Sequence, residues 1–122
     1  MAKSKQQRAQ EKAHALGWAD RLMFLGPIET RALFGGWSFR LDGVTFASLM
    51  PDFAFRGDAS VARDWEGQGA RQFIYTAPNT GKVTPMPYWM FRAEALEDQD
   101  HFEALAKTAL HIAQHAKASG RK

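Results

Sequence analysis

The stretch Trp37-Ser38-Phe39-Arg40-Leu41-Asp42-Gly43-Val44-Thr45-Phe46-Ala47-Ser48-Leu49 decides the fold. Trp37, Phe39 and Leu41 alternate with Ser38, Arg40 and Asp42, the period of a half-buried strand. Asp42-Gly43 is a two-residue hairpin signal, because both turn positions favour positive φ. Val44 to Leu49 is then the returning strand. Before it, Gly35-Gly36 marks a turn or bulge, and Thr30 to Phe34 is a short extended segment. After it, Met50-Pro51-Asp52 turns the chain into another short strand, Phe53 to Arg56. This is an antiparallel meander with little room for a crossover.

Working outward, Ser4 to Leu25 reads as a helix with Ala9, Ala13, Leu16, Ala19 or Asp20, and Met23 on one face. Gly26-Pro27 stops it, since Gly accepts a left-handed conformation and Pro cannot continue a helix. A second helix is expected over 59–68, with Asp58 or Ser60 as its cap and Val61, Ala62 and Trp65 as its apolar face. Gln72 to Tyr75 follows as a strand, then a polar loop to Pro85. Met86 to Arg92 is extended and aromatic, and Pro87 points to an edge position or to the strand's first residues. The last helix, 97–118, carries Phe102, Leu105, Ala109, Ile112, Ala113 and Ala116 on one face. Asp98 and Asp100 in its first turn and Lys117 in its last suit the helix dipole. The expected fold is α+β: an antiparallel sheet of about five strands, order α-β-β-β-α-β-β-α, with helices on one face.

The chain has 122 residues, 45% of them hydrophobic, which suits one domain with a real core. It divides into a basic N-terminal helical extension, 1–15, a domain over 16–116, and a basic tail, 117–122. There is no cysteine, so disulfides, thiolate metal sites and cysteine nucleophiles are excluded. No apolar run reaches the ~18 residues of a membrane span, and a cytoplasmic protein is expected. The net charge of +3 is uneven: residues 1–12 and 117–122 carry +3 each, and the remainder is −3. An acidic body argues against tight reading of DNA, while basic ends allow weak, salt-sensitive contact.

The sequence shows no catalytic constellation. Ser38, Ser48 and Ser60 lack a Gly-x-Ser-x-Gly elbow. Gly35-Gly36 matches no phosphate loop. His111 and His115, four apart on the last helix, have no carboxylate within that turn and read as solvated side chains. No catalytic, cofactor or metal residue is therefore assigned. The many aromatic residues along the strands read mainly as core. Their interleaving with Arg31, Arg40, Arg56, Arg71 and Arg92 leaves a base-stacking sheet face as an alternative. A partner surface built from Arg31, Trp37, Tyr88 and Trp89 is the middle reading.

Arg31-Ala32-Leu33-Phe34-Gly35-Gly36-Trp37-Ser38-Phe39, followed by Asp42-Gly43-Val44-Thr45-Phe46-Ala47, resembles the signature of the TfoX/Sxy N-terminal domain. Leu25-Gly26-Pro27-Ile28, Phe53-Ala54-Phe55-Arg56, Phe73-x-Tyr75, Met86-x-Tyr88 and Leu96-Glu97-Asp98 extend the resemblance over roughly 16–116. Within it, Arg31, Phe34, Gly35, Gly36, Asp42, Gly43 and Phe46 are the structural motif residues. Leu33 stands where the family has Met, Ser38 replaces a third Gly, Ala54 replaces an aromatic, and Arg92 stands where Pro is common. The resemblance implies a fold similar to secretion chaperones. It implies regulation of DNA-uptake competence genes through protein–protein contact, with partners such as the cyclic-AMP receptor protein. A homodimer is expected, as is no cofactor. Full-length members add a C-terminal helical domain, so a stand-alone relative is expected. A direct nucleic-acid binder, using the basic tails and an Arg/aromatic sheet face, is the alternative.

Overall fold

A computed structural model describes residues 4–33 and 36–118. Phe34 and Gly35 of the glycine motif lie outside the described residues, as do residues 1–3 and 119–122 of the two basic ends. Helix α1 runs Lys5–Leu22 and ends in a 3₁₀ turn, Met23–Leu25. Four strands follow: β1 Glu29–Leu33, β2 Gly36–Leu41, β3 Val44–Leu49 and β4 Phe53–Arg56. Then come α2 Ala59–Gly67, β5 Arg71–Thr76, β6 Val83–Phe91, a 3₁₀ turn Ala93–Leu96 and α3 Gln99–Ala118. The strands form one antiparallel sheet in the order β1-β2-β3-β4-β6-β5. The α+β class holds, with six strands where about five were expected and four strands before α2 where three were expected.

Local chemistry explains the boundaries. Ser4 caps α1 through a capping box: its hydroxyl accepts from the Gln7 N–H, and the Gln7 side chain accepts from the Ser4 N–H. Gly26 ends that helical segment with φ +138°, a value that L side chains rarely adopt. Asp42 and Gly43 both take positive φ, 51° and 79°, as the hairpin signal requires. The Asp58 carboxylate accepts from the Ser60 N–H and caps α2.

The helices pack on one face of the sheet. Phe53 and Phe55 of β4 point into that layer. Phe53 stacks on Trp18 of α1 at 4.5 Å between centroids and meets Phe102 of α3 at 5.7 Å. Phe55 meets Phe102 at 5.5 Å and Trp65 of α2 at 6.5 Å. Arg21 clamps α1 to α3. Its guanidinium lies 4.0 Å from the Phe102 ring centroid and donates to Gln99 Oε1 and to the Leu96 carbonyl. Burial lowers its pKa from the ordinary arginine value.

Several expectations are corrected. The buried residues of α1 are Ala15, Ala19 and Leu22, while Leu16 and Met23 are exposed. The face lies one position away from the expected one, because small alanines satisfy either spacing. β6 starts at Val83 rather than Met86, which shortens the polar loop. A register shift between Phe39 and Arg40 gives β3 one extra residue, so Phe46 and Ala47 are both fully buried. Pro85 and Pro87 sit in the half of β6 that pairs only with β5, since pairing with β4 begins at Tyr88. Their missing N–H groups therefore cost no bond to β4.

Gly36 opens β2 where a Cβ would lie 2.3 Å from the Leu49 carbonyl oxygen and 2.6 Å from Met50 Cγ. Gly17, within α1, has open space around it. Gly36→Ala is expected to lower unfolding free energy by about 1–3 kcal/mol, the usual cost of forcing atoms into filled space. Gly17→Ala is expected to raise it by roughly 0.5–1 kcal/mol. Urea denaturation of both variants checks the pair.

Candidate functional site: the open face of the sheet

The face opposite the helices is not fully solvated. One row across it reads Arg31, Ser38, Ser48, Ala54, Met90, Arg71, each residue paired to the next. Its inner four are buried: Ser38 is 4% exposed and Ser48 2%, with Ala54 and Met90 similar. The neighbouring row holds Arg40 opposite Thr45 and Arg56 opposite Tyr88. These side chains are shielded because the sheet curls. Past Tyr88, β6 leaves β4 and runs with β5 alone, and a second register shift separates Gln72 from Ile74. Phe73, Tyr75, Met86 and Tyr88 of this ribbon then face Ser38, Thr45, Ser48, Met50 and Pro51 across a cavity of about 680 Å³.

The cavity is apolar, with hydroxyls set into it. Its lining residues include no histidine, carboxylate or lysine. Ser48 Oγ is buried without a hydrogen-bond partner. Burial pushes the Tyr88 phenol above its ordinary pKa, and the charge and hydrogen bond of Arg56 draw it partly back. Tyr88 is thus a neutral donor at physiological pH. Arg31 at one end of the first row pairs with Glu29 at 2.7 Å, and Arg71 at the other pairs with Asp52 at 2.8 Å. Arg40 donates to the Gly43 carbonyl, and Arg56 hydrogen-bonds Tyr88. The Nε atoms of both are buried and unpartnered.

The structure does not bring Arg31, Trp37, Tyr88 and Trp89 onto one surface. Arg31 is exposed and Tyr88 half-buried, both on the open face. Trp37 packs half-buried on the helix side, beside a crevice lined by Gln7, Gln10, Glu11 and His14 of α1. Trp89 is only 4% exposed: it packs against Trp65, and its indole N–H donates to Glu66 at 2.9 Å. It anchors α2 and presents nothing to a partner. Most aromatic residues serve this core. Among the described aromatic residues, Phe73, Tyr75 and Tyr88 line the cavity. Asp42 and Gly43 form the hairpin turn, Gly36 the close approach and Phe46 the bulged core position. His111 and His115 are exposed with rings 4.3 Å apart. Among the described residues, no group of three His, Asp or Glu side chains could hold a metal. No helix among them is long and apolar enough to cross a membrane. Sequence reading missed the cavity, because it depends on β6 lying between β4 and β5.

A curled six-stranded antiparallel sheet backed on one face by helices, with an apolar cavity on the other, defines a small α+β domain. A family model for the TfoX N-terminal domain matches residues 20–113, and the chain belongs to that family. Comparison with curated proteins gives no match.

The raised pKa of Tyr88 has a consequence for stability. The folded state disfavours phenolate, so this contribution is complete below the ordinary tyrosine value of 10.0 and is lost as pH rises through the higher folded value. The melting temperature is expected to fall above about pH 10, and Tyr88→Phe to flatten that fall. Thermal melts between pH 8 and 11 measure it.

Proposed function

We propose that this chain is a non-enzymatic regulatory or adaptor domain. It acts in the control of DNA-uptake competence genes by contacting transcription machinery such as the cyclic-AMP receptor protein, and it works as a homodimer in the cytoplasm. Family membership supports the regulatory role. The observation that carries the contact mode is the β5–β6 ribbon. β5 is an edge strand, uncharged from Gln72 to Thr76. Ile74 and Val83 of the ribbon are 45% and 59% exposed, and Pro85, paired with Ile74, is exposed as well. Ile74 and Val83 lie on the helix-facing side, past the reach of the helices. An uncharged edge with apolar side chains is a template for strand addition or for a hydrophobic contact.

A second reading is direct contact with nucleic acid. Arg31, Arg40, Arg56 and Arg71 share the open face with Phe73, Tyr75 and Tyr88, which favours it. Against it, two of the four arginines are neutralised by Glu29 and Asp52. The curl also removes the flat platform on which bases stack.

Ile74→Asp is expected to weaken binding to purified cyclic-AMP receptor protein by about tenfold or more while leaving the melting temperature nearly unchanged. Calorimetric titration tests this. Absence of binding by the unaltered chain, together with DNA binding that falls steeply with salt, would replace the adaptor reading with the nucleic-acid one.

A further inference from the structure

We propose that a second copy of this chain joins at β5, edge to edge and antiparallel, about a two-fold axis at Ile74. The proposal rests on the homodimer of the adaptor reading and names the surface that makes it.

The two edges of the sheet differ. β1 and β5 are the outer strands, and among the described residues neither has a second neighbour. An open edge presents backbone N–H and C=O groups to any other strand, and charged side chains discourage such pairing. β1 carries Glu29 and Arg31 within its five residues. β5 is uncharged from Gln72 to Thr76 and has no proline. Large apolar side chains also gather beside this edge, since Ile74, Tyr75 and Val83 are all exposed. One edge is guarded against pairing and the other is built for it.

Register selects the second copy. Two copies joined edge to edge by a two-fold axis keep their open faces on one side. Only registers that oppose residues of the same face are then allowed. Gln72, Ile74 and Thr76 lie on the helix side, while Phe73 and Tyr75 line the cavity on the open side. With the axis at Ile74, that residue meets the partner's Ile74, Phe73 meets the partner's Tyr75, and Gln72 meets the partner's Thr76. Every pair is like with like, and aromatic and β-branched cross-strand pairs stabilise antiparallel strands. An axis at Phe73 would instead oppose Gln72 to Ile74 and Arg71 to Tyr75. An axis at Tyr75 would carry Phe73 and Gln72 past the strand end at Thr76. The axis at Ile74 also sets Arg71 opposite Ala77, beyond β5, where Arg71 keeps its pair with Asp52. No like charges face each other across it. Because Phe73 and Tyr75 line the cavity, this pairing sets the two cavities side by side.

The test uses the whole chain, which has no cysteine, so an introduced thiol can pair only with its twin. In this register the two Ile74→Cys side chains lie directly opposite, about 4.5–5.5 Å apart at Cβ, within reach of a disulfide. Thr76→Cys, exposed on the same strand, lies four positions from its twin, roughly 13 Å away. Mild oxidation is expected to cross-link Ile74→Cys at least about tenfold faster than Thr76→Cys. Sedimentation is expected to show a dimer of the unaltered chain at about 100 µM, and Ile74→Lys, which opposes two like charges, to raise its dissociation constant at least about tenfold. If Ile74→Lys fails to fold, the two thiol variants decide. Equal cross-linking of the two thiols, a monomeric unaltered chain, or an unweakened Ile74→Lys dimer would each overturn the proposal. A dimer joined elsewhere, with binding to the cyclic-AMP receptor protein intact, overturns this inference and spares the adaptor reading. Loss of that binding with the Ile74→Cys cross-link intact does the opposite.

Discussion

Two phenylalanines on a four-residue strand hold the molecule together. Phe53 and Phe55 of β4 project to the same side of the sheet, and between them they touch α1 through Trp18, α2 through Trp65 and α3 through Phe102. Each is essentially fully buried. Removing such a ring costs about 3–5 kcal/mol, a large part of the ~5–15 kcal/mol that holds a small domain folded. The intervening and following residues, Ala54 and Arg56, necessarily face the other way. The strand that gathers the helices therefore also forms the middle of the open face. Core and cavity are two sides of one period-two pattern.

The sheet's order follows from how α2 returns. β4 and β5 both run antiparallel to β6, so β6 fills the place between them and β5 becomes an edge. Trp89 fixes this arrangement. It packs on Trp65 and bonds Glu66, tying β6 to α2. Gly57 makes room for it, because a Cβ there would lie 2.8 Å from the Trp89 ring and 2.9 Å from that of Trp65. With β6 held against β4 from Tyr88 onward, its other half and β5 are free to curl over the open face.

Features governed by neighbouring residues were legible in the sequence. The Asp42-Gly43 turn, the Gly26 stop, the Asp58 cap and the face of α3 each depend on a few adjacent side chains. Features set by distant partners were not. The bulge that buries Phe46 beside Ala47 is a property of the β2–β3 pairing, and alternation alone would have sent one of them outward. The face of α1 is ambiguous because its buried positions are mostly alanine. Trp37, Tyr88 and Trp89 look alike as aromatic strand residues, yet one borders a crevice by α1, one the cavity and one the core. The cavity combines β2, β3, β5 and β6, and no local pattern announces that juxtaposition.

Ser38 and Ser48 set the open face apart from the helix-covered one. They pair with each other across β2 and β3 and are as buried as core residues. Alanine would fill these positions with no polar atom to satisfy. The Ser48 hydroxyl, buried without a partner, carries a desolvation cost that ordinary packing does not repay. The arginines follow the same logic on a longer scale. Those at the ends of the first row, open to water, are matched by acidic neighbours. Those in the shielded row keep buried N–H groups without acceptors. Polar groups left unmet thus lie mostly on the side of the sheet over which the ribbon curls, where access to solvent is limited.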